Sequence, residues 1–259
     1  IDVSNLYGNA PGTDFFFTVQ AHGVTGGAID AFNLVEGGQI LSASAPDSTP
    51  ADTYADGVAP GVATTALYTI GEAVNGFIAT GIPDGQGAFL KNDSTIRLLV
   101  NSEIGSTAGY SYQLASGAEL TGARVNFIDI AKVSDAVLGG GLAYDTVYDR
   151  NGNIVTDPAQ IGGGFQRFCS ANLVEAGTNG VVDRLFLLGE ETTAEPGGTM
   201  WILDVDAGAL WAAPDLGYGS WESATVLDTG SPDKVAYFLG DDASRGPLYL
   251  YVGTKNPGG

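Results

Sequence analysis

Apolar and polar residues alternate over short stretches of the chain, and turn-forming residues separate these stretches. The period of two seen in RVNFIDI is typical of a strand with one buried face, whereas a helical period is almost absent. Comparable runs occur at residues 66–70, 95–100, 124–130, 184–188, 199–204, 209–212, 224–227, 234–239 and 247–252. At residues 146–155, Asn151-Gly152 indicates the turn of a hairpin. The pattern predicts an all-β protein of antiparallel strands, either a sandwich or a β-propeller.

The first 65 residues differ in character from the remainder of the chain. Apolar runs at residues 15–19 (FFFTV) and 31–35 (AFNLV) indicate strands of a small N-terminal β unit. Residues 42–65 are rich in Ala, Ser, Pro, Asp and Thr, which is typical of a loop or linker. We therefore expect an N-terminal β segment with its linker over residues 1–65, and a main β domain over residues 66–259.

The chain of 259 residues is strongly acidic. It has 10 Lys and Arg against 30 Asp and Glu, which gives a formal net charge of −20. A field of this sign repels nucleic acid and anionic membranes, so we expect no nucleic-acid partner. No apolar run reaches the roughly 18 residues of a spanning helix, so we expect no membrane span. The acidity has two explanations, which are a solvated surface and sites for hard cations.

Acidic residues follow several of the apolar runs directly. They are Glu103, Glu190, Glu191, Glu222, Asp241 and Asp242. Because the ends of neighbouring strands share a rim, these carboxylates are candidate ligands for Ca²⁺ or another hard cation. Adjacent acids repel each other, and either a bound cation or solvent relieves that repulsion. A solvated turn is the alternative explanation of each acidic pair.

The chain has one cysteine and one histidine, and both limit its chemistry. A single Cys169 excludes a disulfide within the chain. A lone cysteine is usually an inert buried side chain, and its functional alternative is a metal-bound thiolate. With His22 alone, a zinc site built on several histidines is excluded. The sequence also has no nucleophile elbow, phosphate-binding loop or dinucleotide fingerprint.

Five segments, taken in order, resemble the PhoX-type alkaline phosphatases of bacteria and their uncharacterised relatives. They are residues 98–103 (LLVNSE), 167–170 (RFCS), 186–191 (FLLGEE), 219–222 (GSWE) and 235–242 (VAYFLGDD). The resemblance implies a six-bladed β-propeller with iron and calcium at one end of its axis. It also implies a phosphate ester substrate and a secreted, periplasmic or cell-surface location. Family members continue beyond the segment that matches Gly253, so we expect an incomplete propeller, or one completed by self-association or another chain.

The resemblance also implies a set of metal ligands. They are Glu103, Cys169, Glu190, Glu191 and Glu222, with Asp241 and Asp242 as additions. A thiolate suits iron and carboxylates suit calcium. The metals would polarise the phosphate ester and activate an oxygen nucleophile. Where the family has Asn-His-Glu and His-Glu, this chain has Ser102 before Glu103 and Trp221 before Glu222.

Three functions follow as expectations. The first is a secreted, metal-dependent phosphomonoesterase with a site that has lost two histidines. The second is a non-enzymatic, calcium-binding propeller that serves as an extracellular structural or assembly module. The third is glycan binding through Trp201, Trp211 and Trp221, although packing within strands explains these tryptophans more simply.

Overall fold

The structure is a computed structural model that describes residues 67–68, 70–71 and 73–255. The predicted strands at 15–19 and 31–35, the linker, His22 and the boundary at residue 65 lie outside these residues. Within the described part, the helical elements are two 3-10 turns, Pro158–Ile161 and Pro214–Leu216. None of its helices has the length and apolar character that crossing a bilayer requires. The prediction of an all-β protein is confirmed.

The described residues form seventeen strands, most of them short. In chain order they are β1 (Ala73–Val74), β2 (Phe77–Ile78), β3 (Pro83–Asn92), β4 (Thr95–Ser102), β5 (Tyr112–Gln113), β6 (Glu119–Leu120), β7 (Val125–Ala131), β8 (Val137–Leu142), β9 (Thr146–Tyr148), β10 (Phe168–Val174), β11 (Leu185–Glu190), β12 (Gly198–Asp204), β13 (Ala209–Ala212), β14 (Tyr218–Gly219), β15 (Trp221–Leu227), β16 (Lys234–Asp241) and β17 (Leu248–Thr254).

Three sheets contain the long strands, and in each of them sequence neighbours pair antiparallel. The first sheet has the order β3-β4-β7-β8, and the second has the order β10-β11-β12-β13. In the second sheet β9 adds in parallel to β13, and β14 pairs with β12. The third sheet has the order β15-β16-β17. None of these sheets closes on itself among the described residues.

The second sheet lies between the other two. On one side, Phe186 packs with Phe89 of the first sheet in a large buried cluster. On the other side, Leu187 packs with Trp221 and Leu239 of the third sheet. Because successive side chains of a strand point to opposite faces, β11 contributes to both clusters. The second sheet is therefore covered on both faces.

The first strands of the three sheets run next to one another. β3 contacts β10, and β10 contacts β15. Glycine permits this approach, because a Cβ atom at Gly85 would overlap the backbone around Cys169 and Ser170. Side chains of β3, β10 and β15, which are distant in sequence, thus become neighbours where the three sheets meet.

Most of the predicted strands are present, with shifts at their ends. The run at 209–212 matches β13, and the run at 199–204 lies within β12. The strand predicted at 66–70 is wrong at Leu67 and Tyr68, which lie in a bend and an irregular segment. The hairpin predicted at 146–155 reduces to β9 and one bridge between Tyr148 and Ile154.

Candidate functional site

Cys169 lies near the start of β10, where the first strands of the three sheets meet. Its side chain is buried, and its Sγ lies 2.9 Å from Oε2 of Glu222 and 3.5 Å from Oδ2 of Asp84. Asp84 comes from β3 and Glu222 from β15. Asn101 Nδ2 donates a 2.6 Å hydrogen bond to the Cys169 carbonyl oxygen. This bond holds the backbone of β10 against β4, so the thiol has a defined position.

Ligand-type atoms around this thiol form two overlapping groups. In one group, Asp84, Glu103 and Cys169 each place an atom within 4.8 Å of the others. In the second group, Cys169, Glu191 and Glu222 do the same. We call these five residues the thiol–carboxylate cluster. Because the thiol belongs to both groups, the cluster is a candidate for two adjoining cation sites.

Arg167 joins the two groups of the thiol–carboxylate cluster. Its Nη2 donates to Oε1 of Glu103 at 2.5 Å and to Oε2 of Glu191 at 2.7 Å. The Arg167 backbone N–H also donates to the Ile104 carbonyl oxygen, and its carbonyl oxygen accepts from the Glu191 N–H. The guanidinium therefore contacts two of the four carboxyl groups in the cluster. With every carboxyl group ionised, the cluster carries excess negative charge, which a cation or a bound proton relieves.

Burial opposes ionisation of three members of the thiol–carboxylate cluster, as their pKa values show. Burial raises the pKa of Asp84, and the negative charge of Glu222 adds to this rise. Burial and the hydrogen bond with Asp84 raise the pKa of Glu103. Burial also raises the pKa of the Cys169 thiol, as does its hydrogen bond to Glu222. Cation binding here would therefore release protons, as it does wherever ligands must be deprotonated.

The seven predicted ligands divide between the cluster and other places. Four of them belong to the thiol–carboxylate cluster, namely Glu103, Cys169, Glu191 and Glu222. The other three lie outside both ligand groups of the described residues, namely Glu190, Asp241 and Asp242.

Glu190 is a buried acceptor for donors on neighbouring segments. Its Oε1 accepts from Gln166 N at 2.9 Å, and its Oε2 accepts from Thr199 N and Trp201 Nε1, both at 3.1 Å. Burial raises the pKa of Glu190, and these hydrogen bonds oppose the rise. The contacts connect the end of β11 to β12 and to the segment before β10. They account for a buried carboxyl group at this position without a cation.

Asp241 and Asp242 shape the end of β16. Oδ1 of Asp241 accepts from Ser220 N at 3.3 Å and from Ala243 N at 3.0 Å. The backbone N–H of Asp242 donates to the Ser220 carbonyl oxygen at 2.8 Å. The contact from Ala243 N, two residues further along the chain, is typical of an Asx turn. Cation binding by either aspartate stays a prediction.

Comparisons of the chain with models of protein families, with curated proteins and with solved structures found no match. The resemblance to PhoX-type phosphatases therefore stays a prediction.

Asp84 and Arg167 belong to the site, and the sequence pattern did not identify them. Asp84 stands in Pro83-Asp84-Gly85, a combination typical of a turn, although it lies within β3. The spacing of Gly85 and Gly87 was the available signal, because glycines in a strand often mark a close approach of another backbone. Arg167 has a positive φ of 42° directly before β10. A positive φ is uncommon for any residue other than glycine.

Ser102 and Trp221, the two residues for which the resemblance implies histidines, are packed in the interior. Ser102 is 1% exposed, and its hydroxyl donates to Thr80 O at 2.7 Å and accepts from Asn126 Nδ2 at 3.2 Å. Trp221 is 2% exposed and packs edge-on to Tyr249, with ring centroids 5.8 Å apart. Neither side chain takes the place of an imidazole ligand or proton carrier.

Proposed function

We propose that the protein is a metal-dependent phosphomonoesterase whose cations bind the thiol–carboxylate cluster. The observation that carries this proposal is the place of Cys169 in two groups of ligand atoms, each within 4.8 Å. Four carboxyl groups supply the hard oxygen ligands that calcium takes, and the thiol supplies the soft ligand that suits iron. Calcium and iron are also the metals that the resemblance to PhoX-type phosphatases implies.

The sheet arrangement supports a β-propeller as the scaffold. Consecutive antiparallel meanders with adjacent first strands are the arrangement of neighbouring propeller blades. In this scheme β3, β10 and β15 are the innermost strands, and the thiol–carboxylate cluster lies at one end of the axis. A six-bladed ring would need further blades from outside the described residues, from a second copy or from another chain.

The side chains around the cluster would prepare it for an anionic substrate. Bound cations would polarise a phosphate ester and activate an oxygen nucleophile. Arg167 holds Glu103 and Glu191 in place, and its partly exposed guanidinium offers positive charge to an approaching phosphate. Ser170 Oγ donates to Oε1 of Glu222 at 3.3 Å and orients that carboxylate. Contacts of this kind orient ligands and tune metal affinity.

Metal analysis combined with hydrolysis of an aryl phosphate tests the proposal. The protein should retain calcium and iron and should hydrolyse p-nitrophenyl phosphate. The Cys169→Ser variant should contain less iron than the wild type. The Glu222→Gln variant should hydrolyse the ester about 10- to 100-fold more slowly than the wild type. Glu119→Gln is the matched control, because Glu119 is exposed on β6 and lies outside both ligand groups. Protein without iron and without turnover in the presence of calcium would refute the catalytic proposal.

One observation favours a second function, a non-enzymatic calcium-binding propeller with an extracellular structural or assembly role. Ser102 and Trp221 are buried at the positions of the family histidines, so the described cluster has no imidazole for proton transfer. Under this hypothesis calcium stabilises the protein and no hydrolysis occurs. Retention of calcium, a raised unfolding midpoint and absent turnover would together favour the second function over the first.

A further inference from the structure

A cavity of about 280 Å³ lies between the second and third sheets. One wall is the segment from Asp215 to Tyr218, and the other wall consists of residues from the strands of the third sheet. Four aromatic residues line this space, namely Tyr218, Trp221, Tyr249 and Tyr251. Tyr218 and Tyr249 are exposed by 47 and 45%, so a ligand can reach the cavity from solvent. We call this space the aromatic cavity.

The aromatic cavity has polar groups at two depths. Trp221 is 2% exposed, and its Nε1 is a buried donor without an acceptor in the described part of the chain. Buried donors in native proteins usually have a partner, so this N–H indicates an acceptor supplied by another molecule. Asp215 is exposed at the rim and offers carboxylate oxygens to a donor. A ligand here therefore meets a donor inside and an acceptor outside.

Arg150 fixes the wall opposite the third sheet. Its Nη2 donates to the Pro214 carbonyl oxygen at 3.1 Å, and its Nη1 donates to the Gly217 carbonyl oxygen at 3.2 Å. The guanidinium also lies over the Tyr218 ring, 3.7 Å from the ring centroid. These contacts hold the segment before β14 in place. The cavity is therefore formed before a ligand enters, which lowers the entropic cost of binding.

A second cavity of about 190 Å³ adjoins the aromatic cavity. The two spaces share Asp215, Leu216 and Tyr251, and Tyr237 lines the second one. The rings of Tyr237 and Tyr251 are stacked, with centroids 6.0 Å apart. The aromatic cavity alone is close to the lower limit of about 300 Å³ for small-molecule sites. An extended ligand that enters both spaces therefore fits better than a compact one.

The charges near the aromatic cavity favour an uncharged ligand. The net charge of −20 and the Asp215 carboxylate repel an anion. The Arg150 guanidinium beside Tyr218 opposes a cation. Aromatic side chains pack against apolar faces and pair their polar tips with polar groups. A sugar ring combines apolar C–H faces with hydroxyl groups that both donate and accept hydrogen bonds.

We propose that the aromatic cavity and the space adjoining it bind a neutral oligosaccharide. Trp221 is the one tryptophan of the sequence-based glycan hypothesis that lines this site. Trp201 donates from Nε1 to Glu190, and Trp211 stacks on Tyr148 with ring centroids 3.5 Å apart. The lining residues do not include any member of the thiol–carboxylate cluster. The proposal is thus independent of cation binding and of hydrolysis.

Calorimetric titration of the full chain with neutral tetrasaccharides tests the proposal. The probes are maltotetraose, cellotetraose, mannotetraose and chitotetraose, and a chelator is present throughout. At least one probe should bind with a Kd below about 1 mM. Tyr249→Ala should weaken that binding at least about tenfold, because it removes a ring from the wall. Trp221→Phe keeps a ring but removes the N–H, and should weaken binding about three- to tenfold.

The matched control is Phe238→Ala. Phe238 is an exposed aromatic residue of the same sheet and lines neither cavity, so this variant should bind like the wild type. Urea unfolding shows that each variant is folded. A wild-type protein that binds none of the four probes would refute the proposal without any variant. Equal losses in Phe238→Ala and Tyr249→Ala would place the binding elsewhere, and binding of tetramethylammonium alone would make the cavity a cation site.

Discussion

At the scale of single residues, Glu190 and Glu191 show how adjacent identical side chains take different roles. Glu190 is buried, and three N–H groups donate to its carboxyl oxygens. Glu191 lies on the other side of the chain, in contact with Arg167 and grouped with Cys169 and Glu222. The alternation of side chains at the end of a strand separates the two carboxyl groups. We therefore expect Glu190 to contribute to stability, whereas cation binding by Glu191 stays part of the proposed function.

Substitution by glutamine should separate these two roles. Glu190→Gln places an amide NH₂ against at least one donor, so it should lower the free energy of unfolding by about 1–2 kcal/mol. Its calcium affinity should stay close to that of the wild type. Glu191→Gln removes a ligand and should weaken calcium binding at least about tenfold. Urea unfolding in the presence of a chelator and calorimetric titration with calcium measure the two effects. Equal losses of affinity in both variants would contradict the assignment.

At the scale of strands, side-chain pattern predicted those elements whose residues are apolar. The strands β12 and β13 agree closely with the predicted runs because Trp201, Ile202 and Leu210 carry a clear β signal. The strands β3 and β8 were missed, because Gly85 and Gly140 stand in segments that resemble turns. In the structure, a Cβ on Gly140 would overlap Phe77, and one on Gly85 would overlap the backbone of β10. These glycines serve packing between elements, which a local pattern does not reveal.

The sequence predicted part of the candidate site, just as it predicted part of the strands. Acids at strand ends and the single cysteine were visible in the sequence, and Glu103, Glu191 and Glu222 lie in the cluster with Cys169. The contact between Asp84 and Cys169 joins residues 85 positions apart. It depends on the stacking of two sheets, so neither residue predicts its partner.

The first sheet contains an ion-pair group across three strands that should make stability depend on pH. Asp129 of β7 accepts bidentate hydrogen bonds from Arg97 of β4, at 2.8 Å each, and one from Lys91 of β3, also at 2.8 Å. Burial alone would raise the pKa of Asp129, but the bonds from Arg97 and Lys91 lower it overall. An aspartate with a lowered pKa stabilises the fold above its unfolded pKa of about 3.9. This stability is lost as the pH falls through the folded value.

Asp129→Asn should therefore lower the free energy of unfolding by about 1–2 kcal/mol at pH 7, because it removes the charge that Arg97 and Lys91 bind. The loss is no larger because Lys91 is partly exposed and solvent screens its interaction with Asp129. The difference between variant and wild type should shrink as the pH falls below about 4. Urea unfolding at pH 7 and pH 3 measures this change. Asp93→Asn, in the exposed turn before β4, is the control and should have little effect. A difference that persists unchanged at pH 3 would show that packing, not charge, explains the effect.

At the scale of the whole molecule, the acidic charge has two distinct parts. The formal net charge is −20, and every Lys and Arg lies at residue 91 or later. Exposed acids interact with solvent, and salt screens their mutual repulsion. The carboxyl groups of Glu103, Glu191 and Glu222 converge in a partly buried cluster, where solvent screens them less. Added salt should therefore screen the repulsion between exposed acids, whereas a cation that binds specifically should neutralise the charge of the cluster.

Calcium should stabilise the folded protein by more than its ionic strength explains. A ligand that binds the folded state alone adds about 2.7 kcal/mol at a concentration of 100 times its Kd. For a domain of this size, that corresponds to a rise in Tm of about 5–10 °C. Sodium chloride at equal ionic strength should produce only the smaller rise that comes from screening. Glu222→Gln should retain the screening rise and lose most of the additional calcium effect, since it removes a cluster ligand and leaves the surface acids unchanged. Equal shifts of Tm with calcium and sodium in the wild-type protein would show that the cluster binds no calcium under these conditions.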